Sequence, residues 1–145
     1  ALDFIHSDRS IFKIVDLDEA WAFLNVAQGE TLSNKLVRAG RAMNAGVYFV
    51  TQSSGDVSKE SLKNNIGLKF AFRSTDTNEI KQTLEFFGLD SEDENNQKRL
   101  RDLENGQCLM QDLYGRVGVV QIHPVFVELL HAFDTRPPVQ RNEVE

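Results

Sequence analysis

The pattern of hydrophobic positions begins with an apolar run that ends in acidic residues. Residues 11–15 are apolar apart from one lysine, and Asp16, Asp18 and Glu19 follow directly, before the sequence AWAFL. A short apolar run predicts a buried strand, and the residues from Glu19 to about Val26 predict a helix. Because open α/β folds bind ligands at the carboxyl ends of their strands, we expect these acids to be functional groups.

A second buried strand is predicted after an amphipathic helix. Thr31 is a candidate N-cap of this helix, which has apolar residues on one side and a basic face with Arg38 and Arg41 on the other. The helix is predicted to end at residues 44–46, since glycine commonly follows a helix. The run VYFVTQ then predicts a central strand that ends at Gln52. Two buried strands joined by a helix predict a βαβ crossover, with polar groups from both strands at one edge.

The rest of the pattern predicts further helices, a third strand and a hairpin. In chain order these are a short helix at 58–65, a strand at 68–73, and a helix from a capping box at Asp76 and Glu79 to Gly88. They are followed by a solvated acidic loop at 90–96, a charged helix at 97–104, a hairpin that pairs 107–113 with 116–122, and a helix at 126–133. The predicted fold is α/β, with a mostly parallel sheet flanked by helices and a carboxyl-terminal β-hairpin. It occupies residues 1–136, and residues 137–145 are expected to form a flexible tail.

Composition and charge exclude several classes of function. The net charge of -6 over 145 residues does not suit a surface that binds nucleic acid by itself. No apolar run is long enough to cross a bilayer, and no signal peptide is evident, so a cytoplasmic origin is expected. The single Cys108 is expected to be a small buried residue. His6, His123 and His131 lack the spacing of metal ligands, so zinc is not expected.

The adjacent carboxylates after the first strand suit metal-assisted hydrolysis of a nucleotide. In a P-loop ATPase, an Asp at this place holds hydrated Mg²⁺, and a neighbouring Glu takes a proton from the attacking water. Asp18 is then the magnesium partner and Glu19 the general base. Alternatively, both acids cap the following helix, where their charge meets the positive end of the helix dipole. The residues alone leave both interpretations open.

Gln52 and the arginines are further candidates for nucleotide chemistry. The amide of Gln52 could lie beside the γ-phosphate and the attacking water, or it could cap the nearby loop. Arg38 and Arg41 are neighbours on one helix face, where either could bind phosphate or both could be solvated surface residues. Arg73 is a weaker candidate of the same kind. No segment matches the phosphate-binding pattern G-x-x-x-x-G-K-[ST], so tight nucleotide binding by this chain alone is not expected.

Four segments, in this order, resemble the carboxyl-terminal half of the motor domain in the HerA/FtsK superfamily, specifically the large ATPase of conjugative or type IV secretion systems. They are DEAW at 18–21, RAGRAMNAG at 38–46, VYFVTQ at 47–52 and ENGQCLMQDLYGRVGVVQI at 104–122. The resemblance implies a partial RecA-like P-loop NTPase fold, with ATP and Mg²⁺ as cofactors. It also implies that Asp18 is the Walker B magnesium partner, Glu19 the base and Gln52 the polar sensor.

The same resemblance leaves two assignments open. Either Arg38 or Arg41 would reach the nucleotide of the same or a neighbouring subunit. Asp16 departs from the usual apolar strand, and since Asp16 and Asp18 share one strand face, Asp16 could be the residue nearer the metal. Asp18 is preferred because DEAW fixes the register.

The resemblance further implies that the chain is a fragment of a hexameric ATPase at the cytoplasmic face of a membrane channel. That parent would power conjugative DNA transfer, type IV secretion or pilus assembly, with secretion-channel proteins and DNA as candidate partners. Without a Walker A loop the fragment itself is expected to be inactive, and exposed sheet edges are expected to make it pair with another copy. Two alternatives are a coupling protein or DNA-pumping translocase of the same superfamily, and a non-catalytic interaction domain.

Overall fold

Five strands and five helices are present in the part of the chain that the computed structural model describes, residues 7–24, 27–53, 55 and 64–132. In chain order the elements are β1 (Lys13–Leu17), α1 (Ala20–Leu24), α2 (Ala27–Ala42), β2 (Ala45–Phe49), β3 (Lys69–Ala71), α3 (Thr77–Phe87), α4 (Glu94–Arg101), β4 (Gln107–Gln111), β5 (Val117–Gln121) and α5 (Val127–Ala132). None of the helices in these residues is long and apolar enough to cross a membrane.

The first two strands form a parallel pair. Lys13 lies opposite Ala45 and Leu17 opposite Phe49, and α2 provides the crossover between the strands. The predicted βαβ unit is therefore present. Two neighbouring parallel strands need a crossover, which carries the chain from the carboxyl end of the first strand back to the end of the sheet where that strand began. As a result, the carboxyl ends of both strands lie at the same edge of the sheet.

The last three strands form a separate antiparallel sheet in the order β3-β4-β5. Gln107 lies opposite Gln121 in the predicted hairpin, and Gly115 in its turn has a φ of 77°, which glycine adopts at little cost. Lys69 of β3 lies opposite Gln111 of β4. Within the described residues, parallel pairing is thus confined to β1 and β2, and the third strand joins the hairpin instead.

The hydrophobic core is built around α3. Its residues Ile80, Leu84 and Phe87 recur at helical spacing and are buried together with residues of α1, α4 and β4. The helix begins at the predicted cap, where Asp76 Oδ1 accepts a hydrogen bond from the Glu79 amide at 2.8 Å. It ends at Gly88, whose φ is 74°. The predicted bounds of this helix are therefore confirmed.

A buried lysine joins α3 to the antiparallel sheet. The Lys69 ammonium donates to the carbonyl of Phe86 at 2.8 Å and lies 4.7 Å from the centre of the Phe86 ring. Both contacts compensate the lost hydration of its charge. The Gln111 side chain likewise donates to the Phe87 carbonyl at 3.0 Å. The carboxyl end of α3 is thus tied to the sheet by two side chains.

One face of the parallel pair is left uncovered by the described residues. Phe12, Ile14, Tyr48 and Val50 alternate along the two strands and are each about half exposed or more. Their alternation follows from the two-residue period of a strand, which sends every second side chain to the same face. The other face carries the buried Lys13, whose ammonium donates to the carbonyls of Ser7 and Asp8.

Two predicted helix starts are wrong. Thr31 does not cap a helix, because α2 begins at Ala27 and continues through the buried Gly29. A glycine inside a helix costs only about 1 kcal/mol relative to alanine, and here the helix packs against α1 and β2. The acidic stretch 90–96 is not all loop, because Asp93 caps α4, its Oδ1 accepting from the Asn95 amide at 2.8 Å. The acids there begin a helix because carboxylates satisfy its first amides.

Other predicted elements lie partly outside the described residues. Most of the predicted helix at 58–65 and all of the predicted tail at 137–145 lie outside the described residues, which omit 56–63 and 133–145. The helix at 126–133 is observed as α5, Val127–Ala132, and none of its side chains is buried.

Candidate functional site

The carboxyl ends of β1 and β2 lie side by side and are joined by backbone hydrogen bonds. The Val50 amide donates to the carbonyl of Leu17 at 3.0 Å, and the Ala20 amide donates to the carbonyl of Val50 at 2.8 Å. The pairing therefore continues past the last residues of both strands. It brings the segment with Asp18 and Glu19 beside the segment that ends in Gln52.

Glu19 and Gln52 are in direct contact at this edge. The Gln52 amide nitrogen donates to Glu19 Oε1 at 2.7 Å, and both side chains are exposed. Glu19 has a φ of 53°, a left-handed conformation that costs a residue with a Cβ about 1 kcal/mol. Asp18 stabilises this turn, because its Oδ1 accepts from the Glu19 amide at 2.9 Å. A strained turn held by its neighbour thus presents Glu19 toward the end of β2.

The two aspartates of this region differ in their place on β1. Asp16 lies within the strand, opposite Tyr48, whereas Asp18 follows the last residue of the strand. Both are exposed, as expected for alternate residues on one strand face. In the described part of the chain, no group of three or more His, Cys, Asp or Glu side chains is arranged to hold a metal ion. Any magnesium here would depend on one or two carboxylates and on the oxygens of water and phosphate, as is usual for that ion.

The end of α2 that carries the predicted Arg38 and Arg41 does not lie beside Glu19 and Gln52. Arg38 is exposed and lies one turn before the end of α2, and Asn44, just beyond that helix, accepts through its carbonyl from the Lys13 amide at 3.0 Å. Since Lys13 begins β1, this end of α2 lies at the opposite edge of the sheet. Arg41 is in the last turn of the same helix, and its side chain is outside the described residues. Arg73 is exposed and follows β3, in the other sheet.

Ser53 and Glu79 join this region although the sequence pattern did not single them out as site residues. The Ser53 hydroxyl donates to Glu79 Oε2 at 3.0 Å, across 26 positions of sequence. It also accepts from the Gly55 amide at 3.3 Å. Glu79 was predicted only as part of a helix cap. Its contact with Ser53 depends on where α3 packs, and no local pattern reveals that packing. The one signal in the sequence is the hydroxyl of Ser53 directly after Gln52, which marks a polar residue next to a candidate site residue.

Comparison with known proteins identifies relatives over most of the chain. Residues 1–133 match a protein family described as the AAA-like domain. The chain is 34% identical over 119 residues to the uncharacterised protein YddE of Bacillus subtilis (strain 168). That match covers 82% of this chain and 14% of YddE, so the chain spans a small part of this relative.

Two solved structures share the fold. VirB4 of Thermoanaerobacter pseudethanolicus matches with a TM-score of 0.71 at 14% identity, over 88% of this chain and 35% of the VirB4 chain. The genome packaging NTPase B204 of Sulfolobus turreted icosahedral virus 2, in complex with ATP-gammaS, matches with a TM-score of 0.57 at 15% identity, over 77% of this chain and 52% of B204. The predicted α/β fold, with a parallel sheet, helices and a carboxyl-terminal hairpin, is therefore confirmed.

Proposed function

Because the chain belongs to the AAA-like domain family, we propose that it forms part of an ATPase that powers conjugative DNA transfer, type IV secretion or pilus assembly. The family match and the fold shared with VirB4 agree with the resemblance that the sequence motifs predicted. The observation that carries the proposal is the contact between Glu19 and Gln52 at the common edge of β1 and β2.

Glu19 is proposed as the general base. Its carboxylate is exposed at the strand end and is oriented by the Gln52 amide, 2.7 Å away. One carboxylate oxygen would accept a proton from water while the water oxygen attacks the terminal phosphorus and the bond to the departing ADP breaks. Gln52 would hold Glu19 and orient the same water through its amide. A fixed base and a fixed water together lower the entropic part of the barrier.

Asp18 is proposed to hold Mg²⁺ through water. An exposed carboxylate at the end of a strand fits that ion, which keeps much of its water shell and takes few protein ligands. Bound ATP would supply the phosphoryl group, and the magnesium ion would neutralise part of the charge of the phosphates. The Asp18 carboxylate also holds the Glu19 turn, so one residue would orient both the metal's water and the base.

The remaining parts of the nucleotide site are proposed to come from elsewhere in the longer protein. The sequence contains no G-x-x-x-x-G-K-[ST] segment, and the chain spans 14% of YddE. Because the end of α2 lies at the opposite sheet edge from Glu19, Arg38 or Arg41 is proposed to reach the nucleotide of a neighbouring subunit. A ring of subunits, proposed here to be a hexamer, places such heterologous contacts at every interface.

The protein is proposed to work at the cytoplasmic face of the membrane, with secretion-channel proteins and DNA as partners. A second candidate is a DNA-pumping translocase or coupling protein of the same superfamily, which the shared fold with the genome packaging NTPase B204 favours. A non-catalytic interaction domain is the third candidate. It differs from the first two because it requires no turnover at Glu19.

Replacement of Glu19 by glutamine in the full-length protein tests the proposal. The variant keeps the size of the side chain and an oxygen that can accept from Gln52, but it removes the base. We expect ATP hydrolysis to fall by about 100-fold or more, the usual contribution of a general base, while ATP binding is retained. Glu128→Gln on the exposed helix α5 is the matched control. Unchanged hydrolysis in Glu19→Gln would favour the non-catalytic interaction domain.

A further inference from the structure

The loop that follows β2 is attached to α3 rather than left in solvent. Ser53, next to Gln52, uses its hydroxyl twice, donating to Glu79 Oε2 at 3.0 Å and accepting from the Gly55 amide at 3.3 Å. A hydroxyl has one proton to donate, so its direction is fixed by the Glu79 carboxylate. The Thr51 hydroxyl also donates to the Ser53 carbonyl at 3.3 Å. The backbone on both sides of Gln52 is therefore held.

A second contact places the same loop on the same face of α3. A Cβ built on Gly55 would lie 2.8 Å from Oε1 of Gln82, so the loop backbone passes directly over that side chain. Residues three apart on a helix are neighbours on one face, and Gln82 is three residues after Glu79. The loop thus lies along the first turns of α3.

Glu79 is a rigid point of attachment. Its own amide donates to the cap residue Asp76, and the next residue, Ile80, is fully buried in the core. Glu79 is half-buried, which limits the rotamers of its side chain. Because its backbone amide and the next residue are both held, Glu79 can fix the position of the side chain that it binds.

We infer that Glu79 and Ser53 are positioning residues, which fix the Gln52 amide relative to Glu19 through the Ser53–Glu79 hydrogen bond. The inference rests on the proposed function, in which Gln52 orients Glu19 and the attacking water. Because Gln52 is exposed, the backbone that carries it sets the region that its amide can reach. That backbone is attached to α3, and the core therefore sets the geometry of the site.

The structure offers a matched control on the same helix. Toward the other end of α3, the Ser91 hydroxyl donates to Glu85 Oε1 at 3.1 Å, a serine–glutamate bond that is exposed and joins residues only 6 positions apart. The test uses the full-length protein with Ser53→Ala, Glu79→Ala, both together, and Glu79→Gln, compared with Ser91→Ala and Glu85→Ala. Glu79→Gln keeps an oxygen that can accept from Ser53.

Steady-state ATP hydrolysis is the first measurement. We expect Ser53→Ala and Glu79→Ala each to lower kcat by about 3- to 10-fold, as for one lost hydrogen bond, with little change in KM. The double variant should be no worse than the single variants, because both remove the same contact. Glu79→Gln should restore most of kcat, and the control variants should match the wild type. Additive losses, equal losses in the controls, or unchanged kcat in both single variants would overturn the inference.

Hydrogen exchange of the same full-length variants is the second measurement, and it does not depend on turnover. In Glu79→Ala the amides of residues 51–53 and 55 should exchange faster, whereas those of residues 80–87 should keep their protection. Equal exchange of the loop in Glu79→Ala and wild type would contradict the positioning role. The proposed function fails separately, if Glu19→Gln still hydrolyses ATP. Loss of hydrolysis in Glu19→Gln with no effect at Ser53 and Glu79 would refute the positioning role alone.

Discussion

The carboxylate of Glu19 accepts a hydrogen bond from the amide of Gln52, 2.7 Å away, although the two residues are 33 positions apart. The contact exists because β1 and β2 are parallel neighbours whose carboxyl ends share one edge. Neither strand alone presents both groups. A carboxylate and an amide, each at the end of its own strand, are therefore held together by the crossover.

Replacing Gln52 by alanine should separate binding from turnover. The change removes the donor to Glu19 and the group proposed to orient water, but it touches no group proposed to bind phosphate. We expect ATP hydrolysis by the full-length protein to fall by about 10- to 100-fold and nucleotide affinity to change little. Hydrolysis rates and equilibrium binding of a fluorescent ATP analogue measure the two quantities. Gln121→Ala, an exposed glutamine in β5, is the control, and a loss of affinity equal to the loss of rate would contradict the assignment.

The choice between Asp16 and Asp18 can be made by charge-removing substitutions. Asp18 lies beyond the end of β1 and accepts from the Glu19 amide, whereas Asp16 lies within the strand opposite Tyr48. In the full-length protein we expect Asp18→Asn to raise the Mg²⁺ concentration needed for half-maximal hydrolysis by about tenfold or more, since magnesium sites depend on one or two carboxylates. Asp16→Asn should change it less than about twofold, because Asp16 lies within β1 and not at its carboxyl end. The reverse order would assign the metal to Asp16.

The crossover and the hairpin could be predicted from sequence because each rests on a local signal with a geometric consequence. A short apolar run that ends in polar groups predicts a buried strand, and two such runs joined by a helix allow few topologies. The contact of Ser53 with Glu79 could not be predicted in this way. It joins residues 26 positions apart, and it depends on how the core orients α3.

The wrong helix start at Thr31 has the opposite cause, since local signals were present but packing decided the outcome. Thr31 had the chemistry of an N-cap, and Gly29 that of a helix end. Both lie inside α2, because Gly29 is buried and the helix packs against α1 and β2. The cost of an internal glycine is small compared with the burial of a helix face.

The stability of the β4–β5 hairpin should depend on pH through Asp112. The Arg116 guanidinium donates to Asp112 Oδ2 at 2.6 Å, and this bond lowers the pKa of the carboxyl. A carboxyl with a lowered pKa in the folded state contributes stability above its unfolded pKa, about 3.9. That contribution is lost as the pH falls through the folded pKa. Denaturant unfolding of wild type and Asp112→Asn should therefore differ most near neutral pH and converge below about pH 4. A constant difference across this range would contradict the prediction.

Arg38 and Arg41 should act between subunits if they act on the nucleotide at all. The end of α2 lies beside Lys13, at the opposite edge of the sheet from Glu19, so neither arginine is expected to serve the site of its own chain. In the full-length protein, Arg38→Ala or Arg41→Ala should abolish most hydrolysis, as Glu19→Gln does. Mixing Glu19→Gln subunits with subunits of the active arginine's variant should restore activity. At equal amounts, about a quarter of the interfaces would pair an intact base with an intact arginine.

The mixing experiment discriminates because each variant is inactive alone. Restored hydrolysis requires a Glu19 from one subunit and an arginine from its neighbour, so it would place the arginine in trans. Mixtures of Glu19→Gln subunits with subunits that carry both Glu19→Gln and the arginine change provide the control, since no interface then contains an intact base. If neither arginine variant complements Glu19→Gln after subunit exchange is confirmed, the arginine acts within its own chain or only supports the helix surface. An arginine in trans would make hydrolysis at each site depend on the position of the adjacent subunit, as a coordinated ring of motors requires.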